Sequence, residues 1–408
     1  MTDIQLIAAI LFGLALVHTF ATKTFERLAD RFPRHAGLWH FFAEVEVVFG
    51  LWALVLILAM AVVQGGAQAI AYAESRTYTE PLFVFVIMVV AASRPVLETI
   101  RALITLLARM VPLRTAVVRV WLCLALVPLI GSLITEPAAM TLAALMLGPQ
   151  IFRQDQGMPE WLKYGALGVL FVNISIGGTL TSFAAPPVLM VAKAWGWDSA
   201  FMAATFGWKA ALAVVVNATA ITFVLRPHIR DDDPNAPRAD RIPALVSAIH
   251  LAFLAGVVAF AHHPVIFMGL FMFFIGFTKA YEQYQNPLIL KEGLLVGFFL
   301  AGLVVLGGMQ QWWLQPIVSS LEPTALFLGA TALTYLGSLI VGMSDEAKYM
   351  LMAGAVAGGG LTVIANAPNP AGVALLRDGF NDESIGVGGL LLGALPPTLV
   401  GMAALFFL

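Results

Sequence analysis

Apolar segments recur along the whole chain and strongly limit what it can fold into. Many run for roughly 20 residues, enough for a helix to cross the roughly 30 Å hydrocarbon core of a bilayer. Composition agrees, because 60% of the 408 residues are hydrophobic and only 11% are charged. Strands of transmembrane barrels would instead alternate apolar and polar residues. The sequence therefore predicts an all-α polytopic membrane protein.

One motif occurs twice within these apolar segments. Residues 177–187 read GGTLTSFAAPP and residues 358–368 read GGGLTVIANAP, with six of eleven positions identical. The tetrapeptide GSLI also occurs twice, at 131–134 and at 337–340. Gly and Pro weaken or remove helical hydrogen bonds, so each motif predicts a helix broken within the membrane. Paired interruptions in two halves point to the binding site of a transporter.

The residues expected to break the helices are Gly177, Gly178, Pro187, Gly358, Gly359 and Pro368. Their spacing divides the chain into a first repeat (1–226), a polar linker (227–241) and a second repeat (242–408). Each repeat is predicted to contain five spans, one of them the broken helix, and a re-entrant hairpin that does not cross. Because five is odd, the two repeats are expected to insert with opposite orientations.

The predicted spans and hairpins have the following bounds. In the first repeat they are 4–21, 40–63, 81–109 with an interruption at Arg94-Pro95, a hairpin at 116–150, the broken helix at 161–197, and 199–226. In the second repeat they are 243–262, 264–282, 288–310, a hairpin at 324–352 with its tip at 342–346, a broken helix ending near 376, and 385–408.

The distribution of positive charge is consistent with this topology. Seventeen Lys and Arg residues fall in loops on one predicted face, and only Arg76 falls on the other. Positive residues accumulate on the cytoplasmic side of membrane proteins. The imbalance therefore predicts a cytoplasmic linker and places both termini outside.

Acidic residues occur at both predicted hairpin tips. Thr135 and Glu136 lie at the first tip, and Asp345 and Glu346 lie at the second. Charged groups within hydrocarbon are costly, at about 2.5–3.5 kcal/mol each on insertion scales, and usually mark function. These carboxylates are therefore candidates for binding a cation or a proton. The alternative is that the tips are simply water-exposed loops. If Glu136 couples the two ions, Asp345 or Glu346 is expected to serve either as a second ligand or as the partner of Lys348.

Neutral oxygen donors surround the two predicted helix breaks, and small cations prefer such ligands. The candidate residues are Asn173, Thr181, Ser182, Thr362, Asn366 and Asn369. The residues predicted to bind Na⁺ itself are Glu136, Thr181, Asp345 and Thr362. The alternative is that these Thr and Asn side chains only cap frayed helix ends.

Other classes of protein fit the sequence less well. A metalloenzyme would need a motif such as H-E-x-x-H within the spans, and none is present. Cys123 is the single cysteine, so the chain can form no internal disulfide. The chain has no basic tail of the kind that would indicate a nucleic-acid partner. We therefore expect no enzymatic activity and no cofactor, with the lipid bilayer as the main partner.

The paired pattern of hairpin, GG-x-LT and Pro-containing break resembles the ion transporter superfamily. Within it, the chain is most similar to a small group of bacterial proteins described as sodium/proton antiporters. The resemblance implies a homodimer in the bacterial inner membrane, with a transport domain of hairpins and broken helices that moves like an elevator. The Ser-Asn-Thr signature of the related dicarboxylate carriers is absent from the hairpin tips, where acidic residues stand instead.

The function expected from these features is secondary antiport of Na⁺ against H⁺ by alternating access. A carboxylate that binds either ion, but not both, would couple their movements. The alternative within the superfamily is transport of an oxyanion such as arsenite, or of an organic acid. That alternative would require more positive charge near the broken helices than Lys348 supplies.

Overall fold

A computed structural model of the protein describes residues 2–154, 157–231, 241–333 and 344–408. The described residues form helices and short turns, without a β-strand. In the first half of the chain the helices are α1 (Asp3–Arg31), α2 (Ala36–Ala43), α3 (Val45–Gln64), α4 (Gly66–Glu74), α5 (Thr79–Ala91), α6 (Arg94–Arg109), α7 (Thr115–Leu124), α8 (Leu126–Ile134), α9 (Glu136–Leu147), α10 (Glu160–Gly177), α11 (Pro186–Trp195), α12 (Ser199–Met202) and α13 (Trp208–Leu225).

The second half contains eight further helices within the described residues. They are α14 (Ala244–Ala259), α15 (Pro264–Ala280), α16 (Leu290–Gly307), α17 (Gln311–Ser319), α18 (Pro323–Leu333), α19 (Asp345–Gly358), α20 (Asn369–Leu376) and α21 (Val387–Phe407). Residues 232–240 of the predicted linker, the second GSLI at 337–340 and part of the second hairpin tip lie outside the described residues.

Several helices are long and apolar enough to cross a membrane. Five described segments meet this criterion alone, and two bent helix pairs, α5 with α6 and α7 with α8, meet it together. The all-helical, polytopic class predicted from the sequence is therefore confirmed. The number and direction of the crossings stay predictions, as does the inverted relation of the two repeats.

The predicted helix interruptions occur where Gly and Pro stand in the sequence. The interruption predicted at Arg94-Pro95 is a 71° bend between α5 and α6. At the first hairpin tip, α8 ends at Ile134 and α9 starts at Glu136. Thr135 between them has φ 80°, a conformation rare for a β-branched residue. Helices α8 and α9 pack against each other on either side of this residue, as expected for a hairpin.

At both predicted breaks, one helix ends at the GG pair and a second helix begins after it. The first consists of α10, a short 3₁₀ turn at Gly178–Leu180, and α11. Its second half begins with Pro186 and Pro187, because Pro fits the first turn of a helix, where no backbone donor is needed. The second consists of α19, an irregular segment with a 3₁₀ turn at Val363–Ala365, and α20. Pro368 is the N-cap of α20.

The second hairpin shares a helix with the second break. Helix α18 packs against α19, and α19 itself leads into the break. The returning arm of the predicted second hairpin and the first half of the broken helix are therefore one helix. The spacing explains this, because 46 residues separate GSLI from GG in the first repeat (131 to 177) but only 21 in the second (337 to 358).

The chain forms two compact units, and each draws on both predicted repeats. The first unit comprises Met1–Phe85 and Lys291–Leu321, and the second comprises Val86–Leu290 and Glu322–Leu408. In the first unit, Gly302 of α16 lies directly against the backbone of Phe49 and Gly50 in α3. Glycine at such a crossing lets two helix backbones approach closely.

In the second unit, α10 is the central helix. The segment Glu160–Leu180 is 89% buried, as expected for a helix surrounded by protein. It packs against α8, α13, α19 and α21. Gly168 of α10 and Gly393 of α21 each lie against the other helix's backbone. This close packing fixes the position of the first break at the end of α10.

Candidate functional site

The first broken helix is held open by Ser132 from α8. The Ser132 hydroxyl donates to the Gly177 carbonyl over 2.6 Å and accepts from the Leu180 amide over 3.0 Å. The Ser132 carbonyl accepts from Thr181 Oγ1 over 2.7 Å. The Ser132 hydroxyl thereby replaces helical partners that the Gly177 carbonyl and the Leu180 amide lose at the break.

The second broken helix is held by its own Asn369. The Asn369 amide donates to the carbonyls of Gly359 (2.7 Å) and Thr362 (2.8 Å). The two breaks are therefore stabilised in the same way, but by different side chains. In each, a buried neutral side chain binds the carbonyl groups released where the first half-helix ends.

The two breaks lie against each other. Ser175, two residues before the first GG pair, donates its hydroxyl to the Val356 carbonyl over 2.8 Å, across the contact of α10 with α19. A Cβ atom at Gly359 would overlap the Ser175 hydroxyl. A Cβ atom at Gly360 would overlap the backbone of Val172. The glycines of the second motif are therefore needed for the close approach of the two broken helices.

Glu136 connects both breaks. Its carboxylate accepts a 2.7 Å hydrogen bond from Asn366 Nδ2, which belongs to the second break, 230 residues along the chain. Its side chain also lies so close to Gly178 of the first break that a Cβ atom there would overlap it. Glu136 is fully buried. One carboxylate therefore contacts both copies of the motif.

Two residues close in sequence to Glu136 and Asn366 carry further buried oxygen atoms of a type suited to a cation. Thr135 Oγ1 and Asn369 Oδ1 are both buried and have no hydrogen-bond partner within the described part of the chain. Buried polar atoms normally find partners, so such exceptions require an explanation. A small hard cation, which prefers oxygen ligands, would supply one. Helices α10 and α19 also end here with C-terminal dipoles that favour positive charge, whereas α9 and α20 begin at Glu136 and Asn369 with N-terminal dipoles that favour negative charge.

Other predicted site residues have different roles. Asn173 of α10 is fully buried, but its amide donates to the carbonyls of Leu124 and Val214, and its oxygen accepts from Asn217. It joins helices rather than facing the break. The Ser182 hydroxyl pairs with Ser199, which links the first break to α12.

The acidic residues of the second tip do not reach Glu136. Asp345 has a side chain 96% exposed and forms a 2.8 Å ion pair with Lys348. Glu346 is also exposed. Among the described residues, no three His, Cys, Asp or Glu side chains come together in a way that could hold a metal. Of the two roles considered for Asp345, the structure shows the partner of Lys348.

Three structural residues of this region were not identified from the sequence. They are Ser132, Ser175 and Asn217, whose amide bonds Asn173 and the Pro397 carbonyl. The repeat contained a signal for Ser132, because it is the serine of the first GSLI. Ser175 and Asn217 belong to neither of the two repeated motifs, so no sequence pattern pointed to them.

The hydrogen bonds of the Ser132 hydroxyl lead to a testable prediction. Ser132→Ala leaves the Gly177 carbonyl and the Leu180 amide without their side-chain partner in a buried site. We expect a loss of stability of about 1–3 kcal/mol, measured by unfolding of the purified protein in detergent. Ser320→Ala is the matched control, because that hydroxyl is exposed. Equal stability of the two variants would contradict this role of Ser132.

The sequence of the chain matches one known family. No curated protein matches the chain. The sequence model of the family described as "Putative Na+/H+ antiporter" matches residues 3–408, nearly the whole chain. The resemblance drawn from the hairpin and the broken helices is thereby confirmed at the level of the family. This chain is a multi-pass membrane protein that belongs to that Na⁺/H⁺ antiporter family.

Proposed function

We propose that the protein exchanges Na⁺ for H⁺ by alternating access, with Glu136 as the shared binding site. The observation that carries the proposal is that this one buried carboxylate contacts Gly178 of the first break and Asn366 of the second. The ion bound at a carboxylate in that position can affect both broken helices, and a movement of either helix can affect the carboxylate. Paired discontinuous helices are where transporters bind their ions.

Competition at Glu136 provides the coupling. Burial raises the free energy of a charged carboxylate, and binding of either a proton or a cation lowers it. When Na⁺ binds, the proton leaves the carboxyl oxygen to water on that side of the membrane. When a proton returns on the other side, the oxygen no longer attracts the cation. Each ion therefore releases the other.

The proposed Na⁺ ligands are the Glu136 carboxylate, Thr135 Oγ1 and Asn369 Oδ1. The last two are the buried oxygens described above. Thr181 and Thr362, predicted from the motif, lie in the same two breaks and can add a hydroxyl or carbonyl oxygen. Asp345 is not in this set, because it is exposed and paired with Lys348.

The conformational cycle is proposed on a different basis. An elevator-like movement and a homodimer follow from the superfamily resemblance alone. The contact between α10 and α19 adds one relevant observation, since both half-helices that end at the site pack together. Glu136 occupancy can thereby influence both elements.

Ion exchange can be measured in everted membrane vesicles with a pH-sensitive dye. We expect Na⁺ to release protons from acidified vesicles, whereas K⁺, arsenite and succinate should have little effect. A response to arsenite or succinate but not to Na⁺ would instead support the oxyanion or organic-acid alternative. No response to any of these solutes would contradict transport of this kind.

We also propose that the protein lies in a bacterial inner membrane with both termini outside and a cytoplasmic linker. The Lys and Arg imbalance supports this orientation. Single cysteines in residues 227–231 and at the C-terminus, introduced into a Cys123→Ala background, can be labelled in intact cells with an impermeant maleimide. Cysteines at the terminus should react and those in the linker should not. The opposite labelling pattern would show that the protein has the inverted orientation.

A further inference from the structure

Helix α6 has three chemically distinct faces. One is polar and follows the helical repeat through Arg94, Glu98, Arg101, Thr105 and Arg109. It carries three positive charges and one negative charge, and both Arg101 and Arg109 are exposed.

The second face is apolar and buried. It includes Val96, Ile104 and Ala108, and the helix packs against α7, α9 and α14 of the same unit. This packing holds α6 against the other helices of the second unit.

The third face is apolar but exposed. Leu103 is 50% exposed, Leu106 is 60% exposed, and Met110, directly after the helix, is 76% exposed. A helix with one polar face and one exposed apolar face is typical of segments that lie in the interface plane of a bilayer.

The direction of α6 agrees with that placement. It turns by 71° from α5. Its 16 residues are roughly 24 Å long, but at this angle they advance only about 8 Å along the direction of α5. Helix α5 has 13 residues and is roughly 20 Å long, so it does not cross the roughly 30 Å hydrocarbon core by itself. If α5 lies along the membrane normal, α6 adds only these 8 Å of depth and runs nearly parallel to the surface, with its polar face toward the headgroups.

We propose that α6 is an in-plane helix that binds anionic lipid headgroups through Arg101 and Arg109, with Leu103, Leu106 and Met110 in the acyl region. The excess positive charge of the polar face selects anionic over zwitterionic lipid, and each Arg near such a surface contributes to the attraction. The charge imbalance places this face on the cytoplasmic side, where positive residues accumulate. This interaction is independent of the proposed ion exchange.

Depth measurements test the orientation. Spin labels are placed on Leu103→Cys, Leu106→Cys and Met110→Cys, each in the Cys123→Ala background, in full-length protein reconstituted into vesicles. Relative accessibility to oxygen and to a nickel chelate reports the depth of each label. For an in-plane helix the three depths should agree to within about 3 Å, whereas a crossing helix would spread them over about 10 Å. The larger spread would overturn the proposal.

Lipid selectivity tests the partner. A fluorophore on Leu106→Cys is quenched by brominated phosphatidylglycerol or brominated phosphatidylcholine, each mixed into phosphatidylcholine vesicles. We expect phosphatidylglycerol to quench at least about twofold more strongly. Arg101→Gln with Arg109→Gln should remove this preference, whereas Arg241→Gln, which removes an exposed charge elsewhere, should retain it. Equal quenching by both lipids before any Arg is changed would contradict headgroup selection.

Discussion

Glu136→Gln is expected to reduce Na⁺-driven proton movement to the background of vesicles without the protein. Gln has nearly the same shape as Glu but neither titrates nor carries charge, so it cannot alternate between a proton and a cation. The amide can keep a hydrogen bond with Asn366 through its oxygen. The variant should therefore insert and fold, and dye-based exchange assays should isolate the loss of coupling.

Glu346→Gln is the matched control. It makes the same chemical change in an acidic residue that is exposed at the start of α19. We expect its exchange activity to equal that of the unmodified protein. If Glu136→Gln retained full activity with normal expression and a normal size-exclusion profile, the exchange site would have to lie elsewhere.

Gly178→Ala is expected to lower exchange by about 100-fold while the protein stays folded. The added Cβ would overlap the Glu136 carboxyl group, which is the movable end of a side chain. The carboxylate must therefore shift, and displacements of about 1 Å at a reacting group can cost this much activity. Transport rates and thermal stability in detergent, measured on the same preparation, separate the two effects.

Gly358→Ala should behave differently. Its Cβ would meet the Thr331 carbonyl, which belongs to the backbone and cannot move by side-chain rotation. We expect a stability loss of about 1–3 kcal/mol and reduced insertion. Gly276→Ala is the control for both glycines, since a Cβ atom added to this residue of α15 would meet open space.

Full activity in Gly178→Ala would contradict the close contact of Glu136 with the first break.

The positions at which the helices stop follow from the sequence alone. Gly177-Gly178 with Pro186-Pro187, and Gly358-Gly359 with Pro368, interrupt helices because of chemistry confined to those residues. At the first hairpin tip, Pro137 marks the start of a helix locally, whereas the φ of 80° at Thr135 opposes the preference of a β-branched residue and depends on the surrounding structure. Local backbone preferences need no knowledge of the rest of the fold, so the helix ends at these Gly and Pro residues could be predicted.

Which side chains meet depends on the tertiary packing. Glu136 and Asn366 are 230 residues apart, and their hydrogen bond exists because α9 and α20 pack together. Helix packing also makes Asn173 a link between helices, whereas Asp345 stays exposed. By residue type alone, both are suited to binding an ion. Residue type and spacing give each side chain its chemistry, but its partners depend on the packing of helices distant in sequence, which a local pattern does not encode.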